Sequence, residues 1–345
     1  MSSFIGNIPY IIMAILAFSL LIIIHELGHF MLAKLNGVKV HEFSLGMGPK
    51  IFGIKGKETE YLIKAFPIGG YVKMEGENEE SDDPRSFTSK TPWQKLSIVS
   101  AGAIMNIILA VVLFAIVGAA EGYTLPIIGE VVPNSAAMQA GIQKGDEITK
   151  INKIKVDRWD QALNEIYISK GERMTIELMR DSKLEKITLT PIMNEKEKRF
   201  MVGIAVSGEE KKLNTGEAVV YGFNQTISTS KQIYGFFGNL FQGQVSVDDV
   251  GGPISIIRIS TLVAQAGIIN LMMLTAMLSV QLGILNIIPF PALDGGWIFI
   301  LLFEIISGKK LDEKKVAAVN YIGFMILMAF MVFIVVKDIV SPMKF

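Results

Sequence analysis

The sequence contains no cysteine. That absence excludes disulfides and every thiolate metal site, so a transition metal held here must rest on nitrogen and oxygen. Histidine is scarce: there are three, and two of them stand in His25-Glu26-Leu27-Gly28-His29. Net charge is missing as well, since 33 Lys and Arg balance 33 Asp and Glu. No basic footprint for nucleic acid follows from such a balance. Charge is also absent locally, over residues 8–24, 96–120, 259–293 and 316–336.

What fills those stretches is apolar. Half of the residues are hydrophobic, and the mean hydropathy is +0.44. Each stretch supplies about 20 residues, enough to cross roughly 30 Å of hydrocarbon. The fold class expected is a polytopic α-helical membrane protein with about four transmembrane helices and a soluble portion between the second and third. The first stretch lacks a basic leader and carries the histidine pair, so it reads as a retained span rather than a cleaved signal. Residues 34–95 hold ten Lys or Arg, and residues 1–7 hold none. The positive-inside tendency then puts the N-terminus outside, 34–95 inside and 121–258 outside.

HExxH is a zinc-hydrolase pattern. On a helix, residues i and i+4 share one face about 6 Å apart along the axis, so two imidazoles can meet one metal. Glu26, beside the first, can reach a metal-activated water and take its proton as general base. Ionisable groups at bilayer depth are costly and point to function. A bare core pentapeptide would leave those polar groups unpaired. The positive-inside reading sets the motif in the inner half of its helix, about 14 Å from Lys34.

A third ligand must be His41 or a carboxylate. Asp294 follows Asn286-Ile287-Ile288-Pro289-Phe290-Pro291-Ala292-Leu293 and precedes Gly295-Gly296. Prolines so spaced break a helix, and broken backbone at membrane depth is tolerated where it is buried in protein or lines a wet cavity. Asp294 is then a ligand, an N-cap for a helix over 295–306, or both. His41 lies in a basic loop. The metzincin continuation is excluded, because Leu32 and Leu35 occupy its glycine and third-histidine positions.

HELGH in a first span, together with Asn-x-x-Pro-x-Pro-x-Leu-Asp-Gly near a third, resembles the site-two protease family of intramembrane zinc metalloproteases. The resemblance is to the bacterial type with one extracytoplasmic PDZ domain. It implies zinc on His25, His29 and Asp294, with Glu26 as catalytic base. It also implies substrate contacts at Asn286 and in its Pro289–Pro291 loop, and a membrane-associated β-sheet over residues 43–72 that includes Gly69 and Gly70. Such a sheet edge could hold an unwound substrate by strand addition. Asn106, in the second span, reads first as packing glue and second as substrate-facing. The acidic run 75–83 reads as a solvated loop.

Residues 122–206 read as a compact α+β domain that resembles a permuted PDZ domain. Its last strand would be Met201–Val206, and its ligand groove, at Gly203 and Ile204, would lie against a helix over 159–167. Residues 212–258 read as interfacial and amphipathic. The expected division is 1–120 for two spans and a β-hairpin region, 121–210 for the PDZ domain, 211–258 for the interfacial segment and 259–345 for the C-terminal membrane part. The function expected is a bacterial plasma-membrane zinc endopeptidase. Its substrates would be single-pass proteins, pre-trimmed by another protease, such as an anti-sigma factor or a remnant signal peptide. A metal-free PDZ scaffold would not need Glu26, and a zinc transporter would need neither the proline-broken loop nor the PDZ domain.

Overall fold

The computed structural model describes residues 2–77, 81–194, 199–243, 251–309 and 311–341. The acidic run is therefore described except for 78–80. The chain divides into a membrane unit, residues 1–117 and 219–345, and a middle unit, residues 118–218.

The chain begins with α1 (Ser2–Leu35), β1 (Val40–Lys55), β2 (Glu60–Met74) and α2 (Pro92–Glu121). The middle unit follows with β3 (Tyr123–Thr124), β4 (Ile128–Val131), α3 (Ala136–Gln139), β5 (Glu147–Ile151), β6 (Ile154–Lys155) and α4 (Trp159–Ile168). It continues through β7 (Met174–Arg180), β8 (Lys183–Leu189), β9 (Ile192–Asn194), β10 (Arg199–Met201), β11 (Ile204–Val206) and β12 (Glu210–Lys211). The chain then forms α5 (Thr215–Phe241), α6 (Pro253–Ala266), α7 (Ile268–Ile287), α8 (Asp294–Ser307) and α9 (Glu313–Val340).

Among the described residues, four helices are long and apolar enough to cross a membrane, over Asn7–Leu35, Pro92–Glu121, Ile268–Ile287 and Lys314–Val340. The long apolar stretch at 259–293 is not one span. It breaks at Gly267, whose φ of 131° lies outside the helical region, and this separates α6 from α7. α5 is a 27-residue helix that exposes Phe223, Tyr234 and Phe236 while burying Tyr221, Thr226 and Thr229.

The expected β-hairpin region is built from two long antiparallel strands, β1 and β2, with repeated register shifts. Phe43 and Leu45 have partners on both sides, at 61 and 63 and at 72 and 70, so residues 70–74 form an outer row. Met47, Ile51, Phe52 and Phe66 stay exposed. The opposite end of the sheet joins a core in which Val38, Val40, Val72 and Met74 pack with Phe87, Ile98, Val99 and Leu301.

In the middle unit, the order β6-β5-β7-β8 makes an antiparallel sheet. Ile176 and Leu178 alternate inward on β7, and with Ile148 and Ile151 of β5, which flank a register shift, they share a core with Ala162 and Ile166 of α4. Asp146 is buried, and Arg180 clamps it with two donors at 2.7 and 2.6 Å. The single strand expected over 201–206 is split. Val202 turns into the core, Gly203 takes φ +82° and its carbonyl accepts from Val132 N at 2.9 Å. Ile204 pairs with Val131 as the first residue of β11.

Candidate metal centre

The apolar helix α1 carries His25 and His29 one turn apart with Glu26 beside the first, and α8 begins at Asp294. The tertiary fold joins them. His25 Nε2 and His29 Nε2 are 3.2 Å apart, and Asp294 Oδ2 lies 3.2 and 3.3 Å from them. A tetrahedral zinc site with bonds of about 2.0–2.1 Å has donor–donor edges of about 3.3 Å.

The hydrogen bonding fits a cation as well. His29 Nδ1 donates to Ile98 O at 2.9 Å, which leaves Nε2 as the bare acceptor. Asp294 Oδ2 is buried without a satisfying donor. Lone pairs from three residues thus converge with no proton assigned between them, an arrangement a divalent ion satisfies. Gly102 of α2 completes the cradle. A Cβ there would stand 2.4 Å from His29 Nε2 and 2.8 Å from His25 Nε2, in the space a ligand would use.

Asn106, one helical turn along, is fully buried. Its amide nitrogen lies 3.2 Å from His25 Nδ1, and its Oδ1 has no partner. Turning the amide by 180° lets Oδ1 accept from Nδ1–H and frees His25 Nε2 for a metal. Ser279 of α7 donates to Asn106 O at 2.7 Å and anchors that turn.

The proline loop explains how Asp294 arrives. A Cβ at Gly295 would stand 2.0 Å from Ile288 O, and one at Gly296 would stand 2.7 Å from Phe290 O. The glycine pair lets the loop fold back against the start of α8. Ala292 pays with a left-handed φ of +73°. Asp294 does not serve as the N-cap considered from the sequence. Leu293 holds that position, without a side-chain capping bond, because the carboxylate faces the histidines.

These features stand beside a direct family relationship. The chain matches the model of peptidase family M50 over residues 13–330. It belongs to that family. A Clostridium acetobutylicum protein, whose name proposes a zinc metalloprotease, is 48% identical over 335 residues, 97% of this chain and 98% of that one. The regulator of sigma-W protease RasP of Bacillus subtilis is 30% identical over 412 residues, covering 95% of this chain and 98% of its own. A solved PDZ domain of the SdrC-like protein from Listeria monocytogenes aligns with 24% of this chain and 88% of its own, at 20% identity and TM-score 0.23.

In this M50 peptidase one pocket of about 200 Å³ gathers His25, Glu26, His29 and Asp294 with Gly70, Tyr71, Val72 and Trp297. Gly70 touches the centre closely: a Cβ on it would meet Glu26 Cγ at 2.9 Å. Gly69 instead faces the Met47 side chain. Asn286 is half-buried at the end of α7, and neither it nor Pro289 nor Pro291 lines the pocket. Pro291 packs where Gly323 of α9 leaves room. His41 bonds Glu75 at 2.6 Å and stands outside the pocket.

Sequence reasoning missed two members of this M50 site. The Ile98 carbonyl that orients His29 carries no residue-type signal. Glu77, placed by composition in a solvated run, instead lines the pocket, with Met74 N donating to its carboxylate at 3.4 Å.

Proposed function

We propose that this chain is an intramembrane zinc endopeptidase that hydrolyses a peptide bond within the membrane-spanning segment of a single-pass protein. One observation carries the reading: His25 and His29 on a bilayer-length apolar helix meet Asp294 at 3.2–3.3 Å. His25, His29 and Asp294 hold the metal, and Glu26 is the general base. When bound, zinc supplies Lewis acidity, polarising a carbonyl and lowering the pKa of water to about 7. Glu26 takes the proton of the attacking water and delivers it to the leaving amine. Asn106 and the Ile98 carbonyl keep both imidazoles aimed.

A helical substrate hides its amides in its own hydrogen bonds. Residues 70–74, an outer row passing over Glu26, offer backbone partners to an unwound segment, with Gly70 leaving room for it. Exposed Met47, Ile51, Phe52 and Phe66 suit the sheet to lipid contact. Asn286 is kept as a substrate contact on the flank of the Pro289–Pro291 loop.

The chain sits in the bacterial plasma membrane as a multi-pass protein. The lysines and arginines of 34–95 put that region in the cytoplasm, and the N-terminus and the PDZ-like unit outside. That unit, with its candidate groove at Gly203 and Ile204, captures or excludes ectodomains according to prior trimming. Similarity to a sigma-W regulator protease favours an anti-sigma factor as substrate; a remnant signal peptide is the alternative.

Glu26→Gln tests the reading. Co-expressed single-pass substrates should lose cleavage by about 10²–10⁴-fold while the purified variant retains stoichiometric zinc. A cut mapped to a soluble loop, or one that survives Glu26→Gln, would contradict it.

A further inference from the structure

Two cavities in the membrane unit share a wall. The catalytic pocket is one. The other, a polar cavity of about 620 Å³, is lined by His41, Glu42, Lys55, Glu58, Glu60 and Lys73 and closes at residues 74–77. Met74 and Glu77 border both.

The other carboxylates of the polar cavity are engaged. Glu58 pairs with Lys34 and Arg85, Glu60 with Lys50 and Glu75 with His41. Glu42 accepts from the Tyr71 hydroxyl. Glu77 differs. It accepts the long bond from Met74 N, and among the described residues no cation lies within 4.0 Å of it. Burial pushes its carboxyl up to about 7. A half-buried carboxyl between two cavities favours a cation brought to it from outside.

The outer row of β2 links this carboxyl to the reaction centre. Gly70 lies at Glu26, and the row ends at Met74, beside Glu77. At about 3.3 Å per residue, a strand laid along 70–74 spans roughly 13 Å. A substrate presenting its bond at Glu26 therefore carries a residue some three to five positions away to Glu77.

We propose that Glu77 and the polar cavity form an exosite for a lysine or arginine at the flank of the substrate's membrane-spanning segment. That cation sets cleavage roughly three to five residues away. The proposal rests on the proteolysis reading above, which puts this cavity on the cytoplasmic side, where single-pass segments carry excess Lys and Arg.

The test uses the full chain, zinc-loaded in detergent, with synthetic single-span peptides that differ only in a Lys-Lys, Gln-Gln or Glu-Glu flank. The wild type should prefer Lys-Lys over Gln-Gln by about tenfold in kcat/KM, the worth of one charge-assisted bond. Glu77→Gln should cut that ratio to about twofold or less, and Glu77→Lys should shift it towards Glu-Glu, each variant keeping its zinc. Dye-labelled peptides bound to zinc-loaded Glu26→Gln should show the same preference in Kd, without chemistry. Equal kcat/KM for Lys-Lys and Gln-Gln with the wild type, or a Lys preference untouched in Glu77→Gln, overturns the exosite. Absence of Glu26-dependent cleavage of every peptide overturns the proteolysis reading instead, while the Kd series still decides the exosite.

Discussion

Gly102 shows how narrow the margins are at the scale of one residue. A methyl group there would occupy the space between the two Nε2 atoms. Gly102→Ala should therefore abolish stoichiometric zinc, as measured by elemental analysis of the purified chain, while the helices remain visible by circular dichroism. Asn106 acts one layer out. Asn106→Ala should weaken zinc affinity about 10–100-fold, the usual cost of a lost ligand-orienting partner. Asn106→Asp, which retains an acceptor oxygen for His25 Nδ1–H, should lose less in the same competition titration against a chelator. That His25 and His29 share one face, with Glu26 beside them, was legible in the sequence because a helix places i and i+4 on one face whatever surrounds it. Asn106 was legible as polar and buried, but its partner was not, since His25 is 81 positions away.

Among the elements, α6 and α9 are tied together by Asp338. Its carboxylate accepts from Ser255 N and Ser255 Oγ, each at 2.9 Å, and from Gly252 N at 3.2 Å. It thus caps the start of one helix from near the end of another. Asp338→Ala would leave buried donors unsatisfied and should cost about 1–3 kcal/mol, seen as a lower midpoint of thermal unfolding in detergent. The break in the 259–293 stretch was expected near the prolines, and it is there, between α7 and α8. The second break, at Gly267, went unread because a lone glycine in an apolar run is also compatible with a continuous helix. The extent of the strands β1 and β2 was not legible beyond a β-hairpin region, because their glycines mark bends within a strand as readily as turns between strands.

The whole molecule consists of two units that solve different problems. The middle unit has its own inward-facing core and its own part-buried ion pair. Residues 118–218 expressed alone should unfold cooperatively in solution. Arg180→Ala should destabilise that fragment by about 1–3 kcal/mol, because it removes two donors from the buried Asp146, and a urea melt would measure it. The membrane unit depends on closure at a distance: its reaction centre needs α1, α2, the outer row of β2 and α8 at once.

Hydrophobic run length, the HExxH spacing, the proline-broken loop before an aspartate and the alternation of the middle strands are local properties. The chain carries them without folding, which is why spans, candidate ligands and the middle α+β unit could be read from residues alone. Which carboxylate meets the imidazoles, that Gly102 is the floor of the centre, and that Glu77 leaves its acidic run to line the pocket depend on contacts between segments far apart in sequence. No local pattern encodes those distances, because they are set only when the helices and the sheet pack against one another.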